Sequence, residues 1–143
     1  MSDAKMHAGE LEIDEELEDI AAVTAAWEDA LRQPEWDGPP VWVHWDLHAE
    51  NLLALDGRLS AVIDWGCLGA GDPACDVMAA WLFLSADTRD AFRAELEVDE
   101  ATWARARGGA LSVGVIALPY YVETNPVFAA VARHAIDEVL ADT

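Results

Sequence analysis

The chain has 143 residues, enough for one domain with a single sizeable core, and 53% of them are hydrophobic, which excludes a disordered tail. Acidic residues outnumber Lys and Arg by 28 to 8, and the formal net charge of −20 would repel nucleic acid while favouring cationic ligands or a salt-rich cell. No apolar run reaches the length of a membrane span, and the start, with Ser2, Asp3, Lys5 and His7 ahead of an acidic stretch, lacks the basic-then-apolar order of a signal peptide, so a cytoplasmic protein without membrane or nucleic-acid partners is expected.

Residues 1–12 read as a polar N-terminal extension and 13–143 as a single domain. Leu17, Ile20, Thr24, Trp27 and Leu31 recur at three- and four-residue spacing behind a candidate cap, Asp14, which predicts an amphipathic helix over 14–32 with that face apolar. Pro34 ends it, and the Pro-, Gly- and Asp-rich segment 33–40 reads as a surface connection. Val41-Trp42-Val43 is a short β-like run that delivers the loop 44–51. Leu52–Leu55 and Leu59–Ile63 flank Asp56-Gly57, a pair suited to the positive φ of a tight turn, and predict a β-hairpin. Gly66–Pro73 reads as a loop, and Ala74–Ser85, apolar on nearly every face, as a buried helix. Helices are expected over Thr88–Glu97 and Asp99–Leu118, the second capped by Asp99, weakened by Gly108-Gly109 and Gly114, and stopped or kinked by Pro119. Asn125-Pro126, a cap followed by proline at the first helical position, opens a last helix to Leu140.

Cys67 and Cys75 form no C-x-x-C pair and are expected to be free core thiols; with His44 and His48 they fit no zinc-ligand spacing. Trp27, Trp36, Trp42, Trp81 and Trp103 are expected in core or interface positions and not as a substrate platform.

The chemistry-bearing run is His44-Trp45-Asp46-Leu47-His48-Ala49-Glu50-Asn51, followed across the hairpin by Ile63-Asp64-Trp65-Gly66. Phosphoryl transfer needs a carboxylate to orient and deprotonate an acceptor hydroxyl, and hard oxygen ligands to hold Mg²⁺ against the phosphates. Asp46 suits the first task, Asn51 with Asp64 the second. Mg²⁺ keeps several waters, so this sparse pair suffices. The hairpin carries Asn51 at one end and Asp64 at the other, bringing both to one edge in the manner of the lower half of a kinase active site. Asp76 reads either as a helix-start carboxylate or as a group that hydrogen-bonds the backbone of the 44–51 loop and holds it.

Three blocks, His44-x-Asp46-Leu47-His48-x-x-Asn51-Leu52-Leu53, Val62-Ile63-Asp64-Trp65-Gly66 and Gly69-x-Gly71-Asp72-Pro73-Ala74-x-Asp76, in that order, resemble the aminoglycoside phosphotransferase family, the small-molecule branch of the protein-kinase-like fold. The resemblance runs from around Trp27 to the end of the chain. It implies an α+β, mostly α fold equivalent to a kinase-like C-terminal lobe, a helical bundle with a small β-hairpin carrying the catalytic and metal-binding loops. It places the base on Asp46 and binding of Mg²⁺, with ATP or GTP as phosphoryl donor, on Asn51 and Asp64. His48 stands where protein kinases often carry a lysine, so it either contacts the transferred phosphate or shapes the loop through backbone hydrogen bonds. His44 is read as loop-shaping, and Gly66 and Asp72 as supports of the site.

The family usually has glycine where Trp45 stands and Pro-Gly where Ala49-Glu50 stand, so this loop is bulkier and carries an extra negative charge beside the metal site. The family's N-terminal β-lobe, with its glycine loop and phosphate-binding lysine, is not expected in these residues, since Lys5, the sole lysine, lies in no strand-like context. Two readings follow. One is an ATP- and Mg-dependent small-molecule O-phosphotransferase lobe completed by an N-lobe from another chain; the other is a truncated, inactive remnant or binding module. The open hairpin edge is expected to expose apolar surface that favours a homo-oligomer or that separate N-lobe. The acidity fits a cationic, aminosugar-like acceptor and fits adaptation to salt equally.

Overall fold

In the computed structural model, which describes residues 19–143, helix α1 occupies 19–31 and a proline-rich connection leads to strand β1 (Val41–Val43). The antiparallel partner of β1 is β4 (Gly69–Gly71), with Val41 opposite Gly71 and Val43 opposite Gly69. Strands β2 (Leu52–Leu55) and β3 (Arg58–Val62) form a separate antiparallel hairpin. Short helices α2 (Ala74–Val77) and α3 (Ala79–Leu82) then precede α4 (Ala86–Leu96), α5 (Glu100–Tyr121) and α6 (Pro126–Ala141). The described residues are thus mostly helical with small antiparallel sheets, in line with the α+β expectation. No helix among them is long and apolar enough to cross a membrane.

The hairpin closes as its turn dipeptide dictates, with φ 51° at Asp56 and φ 74° at Gly57. A register shift between Leu53 and Ala54 leaves Ser60 as the extra residue of a bulge, its hydroxyl donating to the Leu53 carbonyl at 3.0 Å. Strand β4 departs from the loop expected over Gly66–Pro73. A Gly-Ala-Gly segment has little strand preference of its own, so its pairing is imposed by β1. The predicted helix over Ala74–Ser85 is also interrupted: the Trp81 N–H bonds to the Met78 carbonyl at 3.1 Å, an i→i−3 bond that tightens the chain between α2 and α3.

Both predicted caps form. Asp99 accepts from the Thr102 N–H at 2.7 Å to open α5, and Asn125 accepts from the Phe128 N–H at 3.1 Å, with Pro126 next, to open α6. Pro119 neither stops α5 nor ends it, since the helix continues to Tyr121. A proline there removes only the bond to the Val115 carbonyl, and Val115 lies on an exposed face where water can serve that oxygen.

The core is centred on Trp81 and Trp103, whose rings lie 4.6 Å apart, with Val77, Leu82, Leu111 and Val139 around them. Helices α5 and α6 approach closely because Gly114 carries no side chain; a Cβ there would stand 2.8 Å from the Ala132 carbonyl oxygen. Arg89 is buried across this core, paired with Glu138 of α6 at 2.9 Å, donating to the Ala80 and Leu84 carbonyls, its guanidinium over the Trp81 ring. The pairing is what makes a buried cation tolerable.

Helix α1 docks through a different face from the predicted one. Val23 and Ala26 pack on the core and Ala30 abuts Gly108, whereas Ile20, Thr24, Trp27 and Leu31 are exposed; Asp14 and Leu17 lie outside the described residues. Small side chains on both helices let the backbones come together, which larger apolar residues would prevent. Of the tryptophans expected in core or interface positions, Trp81 and Trp103 are core, Trp36 is half-buried, and Trp27 and Trp42 are exposed, Trp42 to 77%. Cys67 is exposed as well, and not the core thiol expected; both cysteines are free.

Candidate active site

The site is built from the loop that leaves β1. Trp45 has φ 69°, in the left-handed region that costs a bulky residue about 1–2 kcal/mol. The Asp76 carboxylate offsets that strain by accepting from two successive amides, His44 N–H at 2.8 Å and Trp45 N–H at 3.1 Å. Its position in α2 thus serves the loop-holding alternative, across 31 and 32 residues of chain. The Trp45 indole lies over β4: a Cβ on Gly69 would stand 3.2 Å from Nε1, and one on Gly71 3.3 Å from Cζ2. Those two glycines supply the space that the tryptophan fills.

His44, only 3% exposed, links the two halves of the site. Its Nδ1 accepts from the Asp46 N–H at 3.2 Å, which assigns the proton to Nε2, and Nε2 donates to the Ile63 carbonyl at 2.8 Å. Its ring meets that of Trp65 edge to face at 4.7 Å. Asn51, 6% exposed, ends a single 3₁₀ turn (Ala49–Asn51), and its Nδ2 donates to the Asp46 carbonyl at 2.8 Å and reaches Asp46 Oδ2 at 3.2 Å. His48 Nε2 stands 3.4 Å from Asp46 Oδ1 and 3.3 Å from Asn51 Nδ2. The His48 ring makes no backbone hydrogen bond among the described residues; its Nδ1 is buried without a partner and the ring packs edge to face on Phe128 at 5.4 Å. The structure therefore brings Asp46, His48 and Asn51 into contact, with the Asp46 side chain 43% exposed to solvent.

Asp64 reaches the same edge because the Ile63 N–H donates to the Asn51 carbonyl at 2.9 Å. Its own backbone is left-handed, φ 59° and ψ 67°, and its side chain projects into the open. Gly66 leaves the space over Asp64 free, a Cβ there falling 3.6 Å from Asp64 Oδ1, at ordinary contact. Asp72 sits apart from this cluster. Its Oδ1 accepts from the Ala74 N–H at 2.9 Å at the start of α2, and Arg105 of α5 clasps it with Nε at 2.8 Å and Nη2 at 3.2 Å. Arg105 also donates to the Pro34 carbonyl at 2.8 Å, tying the connection after α1 to the loop. The Asp72 hydrogen bond raises the Arg105 pKa above its ordinary value. Sequence reasoning missed Arg105; the available signal was a cation set among small and apolar residues of α5. Burial, and then the charges of Asp72 and Asp76, push the Cys75 thiol up, which disfavours a thiolate there.

No group of three or more His, Cys, Asp or Glu among the described residues could hold a metal ion. Of the expected metal ligands, Asn51 Oδ1 and the Asp64 carboxylate make no hydrogen bond or ion pair among the described residues, which leaves an amide oxygen and a carboxylate, both hard donors. Such a pair suits Mg²⁺, which is bound through few protein ligands, and does not suit zinc.

The model of the phosphotransferase enzyme family matches residues 3–108, well over half of the chain. The chain belongs to this family. A crystal structure similar to this phosphotransferase family member is that of a thermostable mutant of aminoglycoside phosphotransferase APH(4)-Ia in ternary complex with AMP-PNP and hygromycin B, at 25% identity and a TM-score of 0.53. The likeness covers 85% of this chain and 43% of that one, so this chain spans less than half the length of that protein. Comparison with curated proteins gives no match. Every candidate residue from His44 to Asp76 falls inside the span matched by the family, whereas Phe128, which closes on His48, falls outside it.

Proposed function

We propose that this chain supplies the base and the metal ligands of a small-molecule O-phosphotransferase, as the lobe equivalent to the C-terminal half of the kinase-like fold. The observation that carries the reading is the Asp46 carboxylate, solvent-accessible and oriented by Asn51 Nδ2, on the same edge as the unpartnered oxygens of Asn51 and Asp64. Asp46 takes the proton of the acceptor hydroxyl as the acceptor oxygen bonds to the γ-phosphorus of ATP or GTP; the bond from that phosphorus to the bridging oxygen breaks and the nucleoside diphosphate leaves. Asn51 and Asp64 would hold Mg²⁺, which would neutralise phosphate charge. His44 and Asp76 fix where the base stands. The exposed apolar residues Trp42, Leu53, Leu55, Leu59 and Trp65 lie on β1, along the hairpin and just after it, and are the surface that a nucleotide-covering lobe would bury. The AMP-PNP and hygromycin B bound to the similar aminoglycoside phosphotransferase support a nucleoside triphosphate donor and, together with the −20 charge here, a cationic acceptor.

Calorimetric titration with AMP-PNP and Mg²⁺ tests this, on the chain alone and with a candidate covering lobe. Mg²⁺-dependent binding is expected, stronger with the lobe and lost in Asp64→Ala. Absence of Mg²⁺-dependent binding in both cases would leave an inactive kinase-like remnant or binding module.

A further inference from the structure

Strand β2 reads Leu-Leu-Ala-Leu, and among the described residues it pairs only with β3, so one of its two edges is open. An open edge is a template for another chain unless something blunts it. Strand β2 carries no charge, no proline and no bulge; the bulged residue, Ser60, and the charge, Arg58, are both on β3. Its apolar side chains are not spent on the core either, since Leu53 is 46% and Leu55 67% exposed. The pleat decides which backbone groups face outwards. Leu55 and Arg58 flank the two-residue turn, and the Leu53 carbonyl accepts from the Ser60 hydroxyl, so both leucines turn their backbone towards β3. Ala54, between them, turns its N–H and C=O away from β3.

We infer that β2 pairs antiparallel with β2 of a second copy of this chain, about a two-fold axis at Ala54. In that register the two Ala54 residues exchange both backbone hydrogen bonds. Leu53 of each copy falls opposite Leu55 of the other, which gathers four exposed leucines on one face of a continuous four-stranded sheet. A one-residue slip would separate the leucines, so the apolar pattern selects the two-fold register. The charge distribution allows two acidic copies to meet here. The whole chain carries −20, yet Leu52–Ile63 contains only Asp56 and Arg58, which cancel. Antiparallel alignment sets the turn of each copy beside the start of β2 in the other, so Arg58 comes towards Glu50. Neither of these opposite charges has an ion pair among the described residues. The pairing rests on this strand edge alone and not on the phosphotransferase reading, and it belongs to the chain without a covering lobe.

The test is sedimentation equilibrium of the full chain in 1 M NaCl, at about 3 Å Debye length, where repulsion between the copies is screened. A four-residue strand makes a small interface, so a monomer–dimer equilibrium with a Kd of about 0.1 mM is expected, weaker in dilute salt. Ala54→Pro removes the central N–H, which faces away from β3, and is expected to weaken the dimer at least about tenfold. Leu55→Lys puts a charge into the leucine cluster and is expected to do the same. Both positions are exposed, and melts of dilute samples check that the variants keep the monomer fold. Hydrogen exchange of the native chain by NMR needs no variant: the Ala54 amide is expected to be protected in concentrated samples and to exchange freely in dilute ones. A monomer at about 1 mM in 1 M NaCl overturns the inference. So does a dimer that both variants leave intact, or one in which Ala54 exchange is indifferent to concentration, since either would be built on another face.

Discussion

A tryptophan at φ 69° immediately before the base is held by contacts on both of its sides, a carboxylate on its amide and two glycines under its indole. Asp76→Ala leaves the buried His44 amide and the Trp45 amide without their acceptor. The expected loss is about 2–4 kcal/mol in denaturant melts, with faster hydrogen exchange at those two amides. Unchanged exchange there would mean that something else holds the loop. The indole contact has its own test. A methyl group at Gly69 meets Trp45 Nε1 at 3.2 Å, and because the Trp45 backbone is pinned by Asp76 the ring has little freedom to yield. Gly69→Ala should therefore be less favourable in the native background than in the Trp45→Gly variant, by about 1 kcal/mol of coupling in a double-mutant cycle. Additive effects would dissociate the two positions. These pairings were half visible in the residues. Asp46, Asn51 and Asp64 stood out because phosphoryl transfer needs those groups at that spacing, while Arg105 clasping Asp72 depends on a helix 33 residues away, which no local pattern encodes.

At the scale of elements, the two long helices begin with caps of different chemistry, and they should part company in acid. Asn125→Ala removes the bond to the Phe128 amide and is expected to destabilise by about 1 kcal/mol at any pH, read from thermal or urea melts. The Asp99 cap is a titratable carboxylate. Hydrogen bonds from Thr102 hold its pKa below the ordinary 3.8, so its contribution is complete above that value and is lost as pH falls through the lower folded one. Asp99→Asn keeps a capping oxygen and should flatten the stability–pH curve in that window while leaving neutral-pH stability nearly unchanged; a curve parallel to the native one would put the acid sensitivity elsewhere. Caps, the Asp56-Gly57 turn and the α6 start were legible because each is a local bargain between a side chain and its own backbone. The β1–β4 pairing and the docking face of α1 were not. Glycines in a strand and alanines on a helix carry no apolar period, and what selects them is how closely another backbone approaches, as at Gly108 and Ala30.

For the whole molecule the dominant quantity is charge. With 28 acidic and 8 basic side chains, like-charge repulsion acts against the compact state at neutral pH, and salt relieves it. The Debye length falls from about 30 Å at 0.01 M to about 3 Å at 1 M, so the exposed carboxylates cease to sense one another over that range. The Arg89–Glu138 pair, with the arginine buried against Trp81, is screened less and continues to tie α4 to α6. The Tm is expected to rise by several degrees from 0.01 to 1 M NaCl. A flat or falling Tm would show that exposed ion pairs such as Arg93–Glu100 and Arg107–Asp29 outweigh the net repulsion.

The Trp45 indole also imposes an order on mutational history. An indole at position 45 fits best while positions 69 and 71 carry no side chain, and after it has entered, neither of those gains one without a penalty. A return to glycine at 45 removes the indole contact at both. The three positions are thus coupled, and a side chain at 69 or 71 costs less in a sequence that has first given up its tryptophan.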